Sequence, residues 1–257
     1  MRVVGLHADV LVATSRVWQT TCTIVRNGGE CFVIDSPVLP DELEVLPAVL
    51  EHAGFALTGL LATHGDWDHL LGRLAFPGTA LGVAETTAAR LAAEPGAAAR
   101  ELRAFDDEWY LARPAPLSLG SVQALPVPGH CEIGEDEIEL HPADGHTPDG
   151  MALWIGWARV LVCGDYVSPV EVPMISAGGS RDAYIATLRR LEPLVDAAAY
   201  VVPGHGEVIE GGRAAAILRE DMNYLAKLPD AELPIARRGE AQRAIHADNV
   251  KRVGGGR

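Results

Sequence analysis

The sequence predicts an α/β protein in which sheet is covered by helices, and three observations carry that expectation. Apolar, strand-like runs recur from one end of the chain to the other. Stretches with helical spacing lie between them in both halves, which rules out an all-α or all-β layout. The 257 residues are 48% hydrophobic and 22% charged, the balance of an ordinary globular chain rather than a disordered or fibrous one.

The first 35 residues read as strands joined by turns: VVGLHADVLVAT, TTCTIVR, an Asn27-Gly28-Gly29 turn and ECFVIDS. β-branched apolar runs flanking Asn-Gly are a hairpin signal. From Asp41 to His52, Leu43, Leu46, Val49 and Leu50 recur at helical spacing behind an acidic first turn, which suits the helix dipole. A short strand, ALTGLLAT, runs into His64, and LGVA follows. An Ala-rich helical stretch extends from Glu85 to Arg113 with a break at Pro95-Gly96. Further strands are expected at SVQALPV, EIELHPA, MALWIGWA, RVLVCGD and AYVVPGHG, with helices from Arg181 to Leu191 and from Gly212 to Leu228. Residues 1–230 are thus expected to form one domain, in which 85–116 is a helical insertion that could serve as a lid, and 231–257 a frayed or peripheral C-terminal tail.

Charge narrows the partners. With 21 Lys and Arg against 35 Asp and Glu, the chain carries a formal charge of −14, which argues against a polyanion-binding surface. No apolar run approaches the roughly 20 residues that span a bilayer. His7 and Asp9 interrupt what would be the apolar core of a signal peptide, so a cytoplasmic location is expected. Cys22, Cys31, Cys131 and Cys163 form no CxxC pair and are expected to be free thiols.

The most informative segment is Thr63-His64-Gly65-Asp66-Trp67-Asp68-His69, four potential metal ligands placed directly after an apolar strand. Imidazole with carboxylate is a ligand set for zinc, iron or manganese. Taken alone, the segment is only suggestive, since a solvated polar turn draws on the same residues. It has company: His146 in DGHTPDG, Asp165 in LVCGD and His205 in VVPGHG each follow a strand-like run or open a tight loop beside a glycine. Seven ligand-type side chains therefore project from strand ends.

With these residues the sequence resembles the metallo-β-lactamase-fold superfamily. The HxHxDH signature of that family stands here as HGDWDH, followed in family order by GHTPDG, CGD and PGHG, and VIDS resembles the first-strand Asp element through Asp35. The resemblance spans about residues 20 to 220 and implies an αβ/βα four-layer sandwich. It further implies two divalent metal ions, with zinc ranked first: His64, Asp66 and His146 would hold one, Asp68, His69 and His205 the other, and Asp165 would bridge them. Asp68 would move protons, and Asp35 would orient a ligand loop. The departure is Asp66, where the family usually has His. An added carboxylate weakens the pull of the ions on a bound water and moves the preference toward harder ions such as Mn or Fe.

The function so implied is hydrolysis of an ester-like bond in a small molecule, a thioester, lactone or ester, by a hydroxide bound to a dinuclear metal site. Iron-dependent redox chemistry, as in a persulfide dioxygenase, is the second class, and a non-catalytic metal-binding module the third. Tyr166, next to Asp165, could donate a hydrogen bond to a developing oxyanion or pack under the next loop. Trp67 could wall the pocket or pack against the scaffold. His130 and His141 are expected at the surface or as satisfied core residues, and His7, His52 and His246 have no ligand-spaced company.

Overall fold

Two sheets lie face to face with helices outside each. The computed structural model describes residues 1–254. The first sheet has seven strands in sequential order: β1 (Arg2–His7), β2 (Val10–Thr14), β3 (Thr21–Asn27), β4 (Glu30–Asp35), β5 (Gly59–Leu61), β6 (Leu81–Ala84) and β7 (Gln123–Leu125). The expected Asn27-Gly28-Gly29 turn joins β3 to β4, with Asn27 opposite Glu30. From β4 to β7 the strands run parallel. Parallel neighbours need crossovers, and these are α1 (Pro40–Ala53), the short α2 (Gly72–Ala75), α3 (Glu85–Ala93) and α4 (Ala97–Trp109). The stretch expected as a lid is thus the crossover from β6 to β7, split where Pro95-Gly96 predicts.

The second sheet runs β13 (Ile209–Glu210), β12 (Tyr200–Val202), β11 (Val160–Val162), β10 (Met151–Ile155), β9 (Asp136–Pro142) and β8 (Gly129–Ile133). Against it lie α5 (Arg181–Ala197) and α6 (Gly211–Lys227). Side-chain alternation builds the layers. Ile24, Val33 and Leu60 face the helices α1 to α4, whereas their neighbours Val25, Ile34 and Leu61 face the other sheet. Likewise Leu161 and Val201 pack under α5 and α6, while Val160, Val162 and Val202 meet the first sheet. Three apolar layers between four structural layers make the expected αβ/βα sandwich.

Three differences from expectation have local causes. The first apolar run is two strands, because Ala8 and Asp9 turn the chain back. Helix α5 continues through Pro193 to Ala197, well past Leu191, while Ser180 caps its start by accepting from the Ala183 N–H. The segment expected as a frayed or peripheral tail, whose last three residues lie outside the described ones, forms α7 (Glu240–Gly254), and it buries Asn249 and, just before the helix, Arg237. Arg237 lies 2.7 Å from the equally buried Asp221 of α6. The helix has no apolar stripe to betray it, because polar groups anchor this end of the chain. Among the described residues no helix is long and apolar enough to cross a membrane.

Candidate metal centre

All seven side chains meet at one edge of the sandwich. His64, Asp66, Asp68 and His69 leave the C-terminal end of β5, His146 sits in the β9–β10 loop, and Asp165 and His205 follow β11 and β12. Asp68 and His69 lie in a single 3-10 turn, Trp67–His69. β11 and β12, parallel neighbours in the second sheet, and β5 in the first all release their loops at the site, so distant positions in sequence become neighbours.

Two triads stand side by side. His64, Asp66 and His146 form one, Asp68, His69 and His205 the other, and within each the ligand atoms lie within 4.8 Å of one another. Asp165 occupies the space between them. Its Oδ2 is 3.2 Å from His146 Nε2, 3.4 Å from His205 Nε2 and 3.7 Å from His64 Nε2, and its Oδ1 is 3.3 Å from His69 Nε2. Gly204 makes room for this, since a β-carbon there would collide with the Asp165 carboxylate.

The imidazoles are held from behind. Asp35 accepts from the Thr63 N–H at 2.8 Å and the Thr63 hydroxyl at 2.9 Å, and its Oδ2 lies 3.0 Å from His69 Nδ1. Asp35 adopts φ +57°, a conformation that side chains other than Gly rarely take and that concentrates at functional sites. His146 Nδ1 faces the Met174 carbonyl at 2.8 Å, and His205 Nδ1 faces the Thr20 hydroxyl at 3.3 Å. Each contact leaves Nε2 directed at the carboxylates. The Nε2 atoms of His64, His69 and His146 are buried without a hydrogen-bond partner. Buried unpaired imidazole nitrogens facing carboxylates are donors awaiting a cation.

Electrostatics point the same way. Burial pulls the His146 and His205 imidazoles down, but the facing carboxylates outweigh it, Asp66 and Asp165 lifting His146 to about 9 and Asp165 and Glu171 lifting His205 to about 10. Burial likewise pulls His69 down, yet Asp68 and Asp165 hold it well above its ordinary value. Asp66 and Asp165 are pushed up by burial and held well below the carboxylate range by the facing histidines. Without an ion, protons neutralise this cluster; a divalent cation would replace them.

Several functional neighbours escape sequence reasoning. Arg90, on α3, donates to Asp66 Oδ1 at 2.7 Å and to Asp149 Oδ1 at 2.8 Å, while Asp149 Oδ2 accepts from the Gly65 N–H at 3.0 Å. Asp149 lies within the DGHTPDG motif, but nothing in the spacing marks Arg90. Trp67 packs at 5.0 Å from Phe105 of α4 and 5.7 Å from Trp18, and Phe105 stacks on Trp109 at 5.7 Å. Trp18 and Trp109 remain about half exposed, so an aromatic shelf flanks the ligand loop.

Tyr166 requires a correction to the oxyanion role. It is 3% exposed, its hydroxyl accepts from the His146 backbone N–H at 3.1 Å, and its proton goes to the Ala143 carbonyl at 3.2 Å. That donor is already engaged beneath the site. His130 is exposed and His141 faces Glu139, both away from the cluster.

A four-layer sandwich carrying paired His and Asp clusters at one edge defines a candidate metalloprotein. The family model described as the metallo-beta-lactamase superfamily matches residues 15–205, and the chain belongs to that superfamily. Among solved structures, the chain is similar to a metallo-beta-lactamase from Pontibacter korlensis, at 18% identity over 88% of this chain and 98% of that one, TM-score 0.66. It is also similar to a metallo-beta-lactamase family protein from Thermus thermophilus, at 18% identity over 87% and 82%, TM-score 0.68. A stereoselective inverting sec-alkylsulfatase from a Pseudomonas species shares 14% identity over 88% of this chain and 42% of its own, TM-score 0.71. At these identities the likeness is one of fold. No curated protein matches the chain. Membership and the His/Asp clusters together support metal-dependent hydrolysis as the general class.

Proposed function

We propose that the chain is a dinuclear metallohydrolase that cleaves an ester-like bond, thioester, lactone or ester, in a small molecule. The observation that carries this reading is the placement of Asp165 between two His/Asp triads. The donors fit divalent ions: His64, Asp66 and His146 would hold one, Asp68, His69 and His205 the second, and Asp165 would serve both. Bound there, such ions supply Lewis acidity, which lowers the pKa of a coordinated water and polarises a substrate carbonyl.

The protein's own groups do the rest. Asp68, with Oδ2 3.4 Å from His205 Nε2 and 3.6 Å from His69 Nε2, is placed to take a proton from the attacking water and return it to the leaving group. Asp35 and the Met174 carbonyl orient His69 and His146, and the Tyr166 hydroxyl fixes the His146 backbone. The shelf of Trp18, Trp67, Phe105 and Trp109, the last two from α4, supports a substrate whose acyl part is apolar. A net charge of −14 supports a small-molecule substrate over nucleic acid, and four unpaired cysteines support a cytoplasmic setting. Zinc remains the first choice of ion.

Asp66 favours a second reading, because its carboxylate suits Mn or Fe and could support iron-dependent oxidation of a persulfide. Assay of thioesters, lactones and esters against the zinc-, manganese- and iron-loaded protein, with oxygen uptake followed in parallel, separates the two. Hydrolysis without oxygen uptake is the expected result; thiol-dependent oxygen consumption by the iron form alone would replace it with the second reading.

A further inference from the structure

Asn249 belongs to α7, more than a hundred residues beyond His146, yet it is fully buried. Its side-chain oxygen accepts from the Ile175 N–H at 2.9 Å, and its amide nitrogen donates to the Pro173 carbonyl at 2.7 Å and to the Tyr224 hydroxyl at 3.1 Å. The orientation of the carboxamide is fixed by its partners, since Ile175 offers a donor and Pro173 only an acceptor. These two residues bracket Met174, whose carbonyl faces His146 Nδ1 at 2.8 Å, and the Ser176 N–H donates to the His146 carbonyl at 2.8 Å.

The bracketed segment has no strand to satisfy it. Residues 167–180 form no helix or strand, and their polar backbone is met instead by side chains from the C-terminal end. Arg237 donates to the Ser168 and Glu171 carbonyls and Gln242 to the Val170 carbonyl, while the Ser168 hydroxyl donates to the His205 carbonyl. The loop that touches two of the seven ligands is thus braced along its length by 237–249.

We propose that Asn249 is a positioning residue for His146, holding the Met174 carbonyl where it fixes the Nδ1–H tautomer and aims Nε2 into the triad with His64 and Asp66. The inference rests on the metal reading of that triad. Asn249→Leu keeps the branched outline of the side chain and deletes both hydrogen bonds to the loop. Asn249→Asp keeps the acceptor for Ile175 and sets a carboxylate against the Pro173 carbonyl.

The test uses the full chain and its two variants, with zinc affinity measured by chelator competition and the His146 Nδ1–H followed by proton–nitrogen NMR. Loss of an outer partner of a metal-bound His weakens binding by about 10- to 100-fold. Asn249→Leu should therefore weaken one zinc by about 10-fold or more, leave the second within about twofold, and lose the protected Nδ1–H signal. Asn249→Asp should fall between it and the parent. If Asn249 only anchors α7, the melting temperature drops while both affinities and the signal stay within about twofold of the parent, and the inference is overturned. Should Asn249→Leu fail to fold, Asn249→Asp with unchanged zinc affinity overturns it equally. Should the parent take up no zinc, the metal reading fails by itself; the Nδ1–H signal, unchanged in the variants, would then overturn the positioning role as well.

Discussion

Arg90 holds Asp66 through one oxygen only: Nη2 donates to Oδ1 at 2.7 Å, while Oδ2 faces His146 Nε2 at 3.4 Å and His64 Nε2 at 3.7 Å. The shorter side chain that replaces the family's usual His is thereby fixed with a single oxygen toward the triad, and part of its charge is offset by the guanidinium. Asp66→Ala should lower metal stoichiometry and activity together. Arg90→Met, which leaves Asp66 in place but free to rotate, should weaken the same ion by about 10-fold. Elemental analysis and chelator competition check both; an Asp66→Ala protein with two ions and full rate would remove Asp66 from the ligand set. Asp66→His should shift the pH optimum downward, because a less negative ligand set pulls harder on bound water.

Metal-free protein should lose stability on the alkaline side. His146 and His205 titrate near 6.5 when unfolded but at about 9 and about 10 in the fold, so the folded chain holds extra protons across that interval. Their contribution is complete below about 6.5 and disappears as pH rises through 9 to 10. The melting temperature of chelator-treated protein should fall from pH 6 to pH 10, and zinc should reverse the fall with release of protons into a weak buffer. A flat profile would contradict the proposed pairing of these histidines with Asp66 and Asp165.

Tyr166→Phe distinguishes a structural hydroxyl from a catalytic one. Removing it strands the buried His146 N–H and Ala143 carbonyl, at a cost of about 2 kcal/mol in stability. An oxyanion donor would instead lose about 100-fold or more in kcat with stability unchanged. Thermal melts beside steady-state kinetics decide between them.

The aromatic shelf should act on substrate binding. Trp67→Ala removes the ring that packs against both Trp18 and Phe105. For esters with long or aromatic acyl groups KM should rise about 10-fold, consistent with the burial value of one aromatic side chain, while acetyl esters change little. Equal losses for both series would place the shelf outside the substrate site.

The layers and the convergence of seven His and Asp side chains were legible because they rest on local signals: alternation in TTCTIV and ECFVID, and His and Asp near glycine at strand ends. Asp35 was legible only through the family resemblance of VIDS. Arg90, Met174 and Asn249 were not, since each acts through tertiary contacts that leave no spacing in the chain. Arg90 is one of many basic residues on a helix, Met174 contributes only its carbonyl, and Asn249 is a polar residue buried on a helix without an apolar stripe. The expected oxyanion role of Tyr166 failed on the same ground. Its neighbour in sequence is Asp165, but its hydroxyl partners lie at Ala143 and His146.

The central claim is that two cations occupy the space around Asp165. It is tested most directly by diffraction from zinc-loaded crystals on both sides of the zinc absorption edge, with Asp165→Asn alongside. Two anomalous peaks are expected within reach of Asp165, one among His64, Asp66 and His146 and the other among Asp68, His69 and His205, with at least one lost in the variant. No peak at either triad in protein saturated with zinc, manganese or iron would contradict the account.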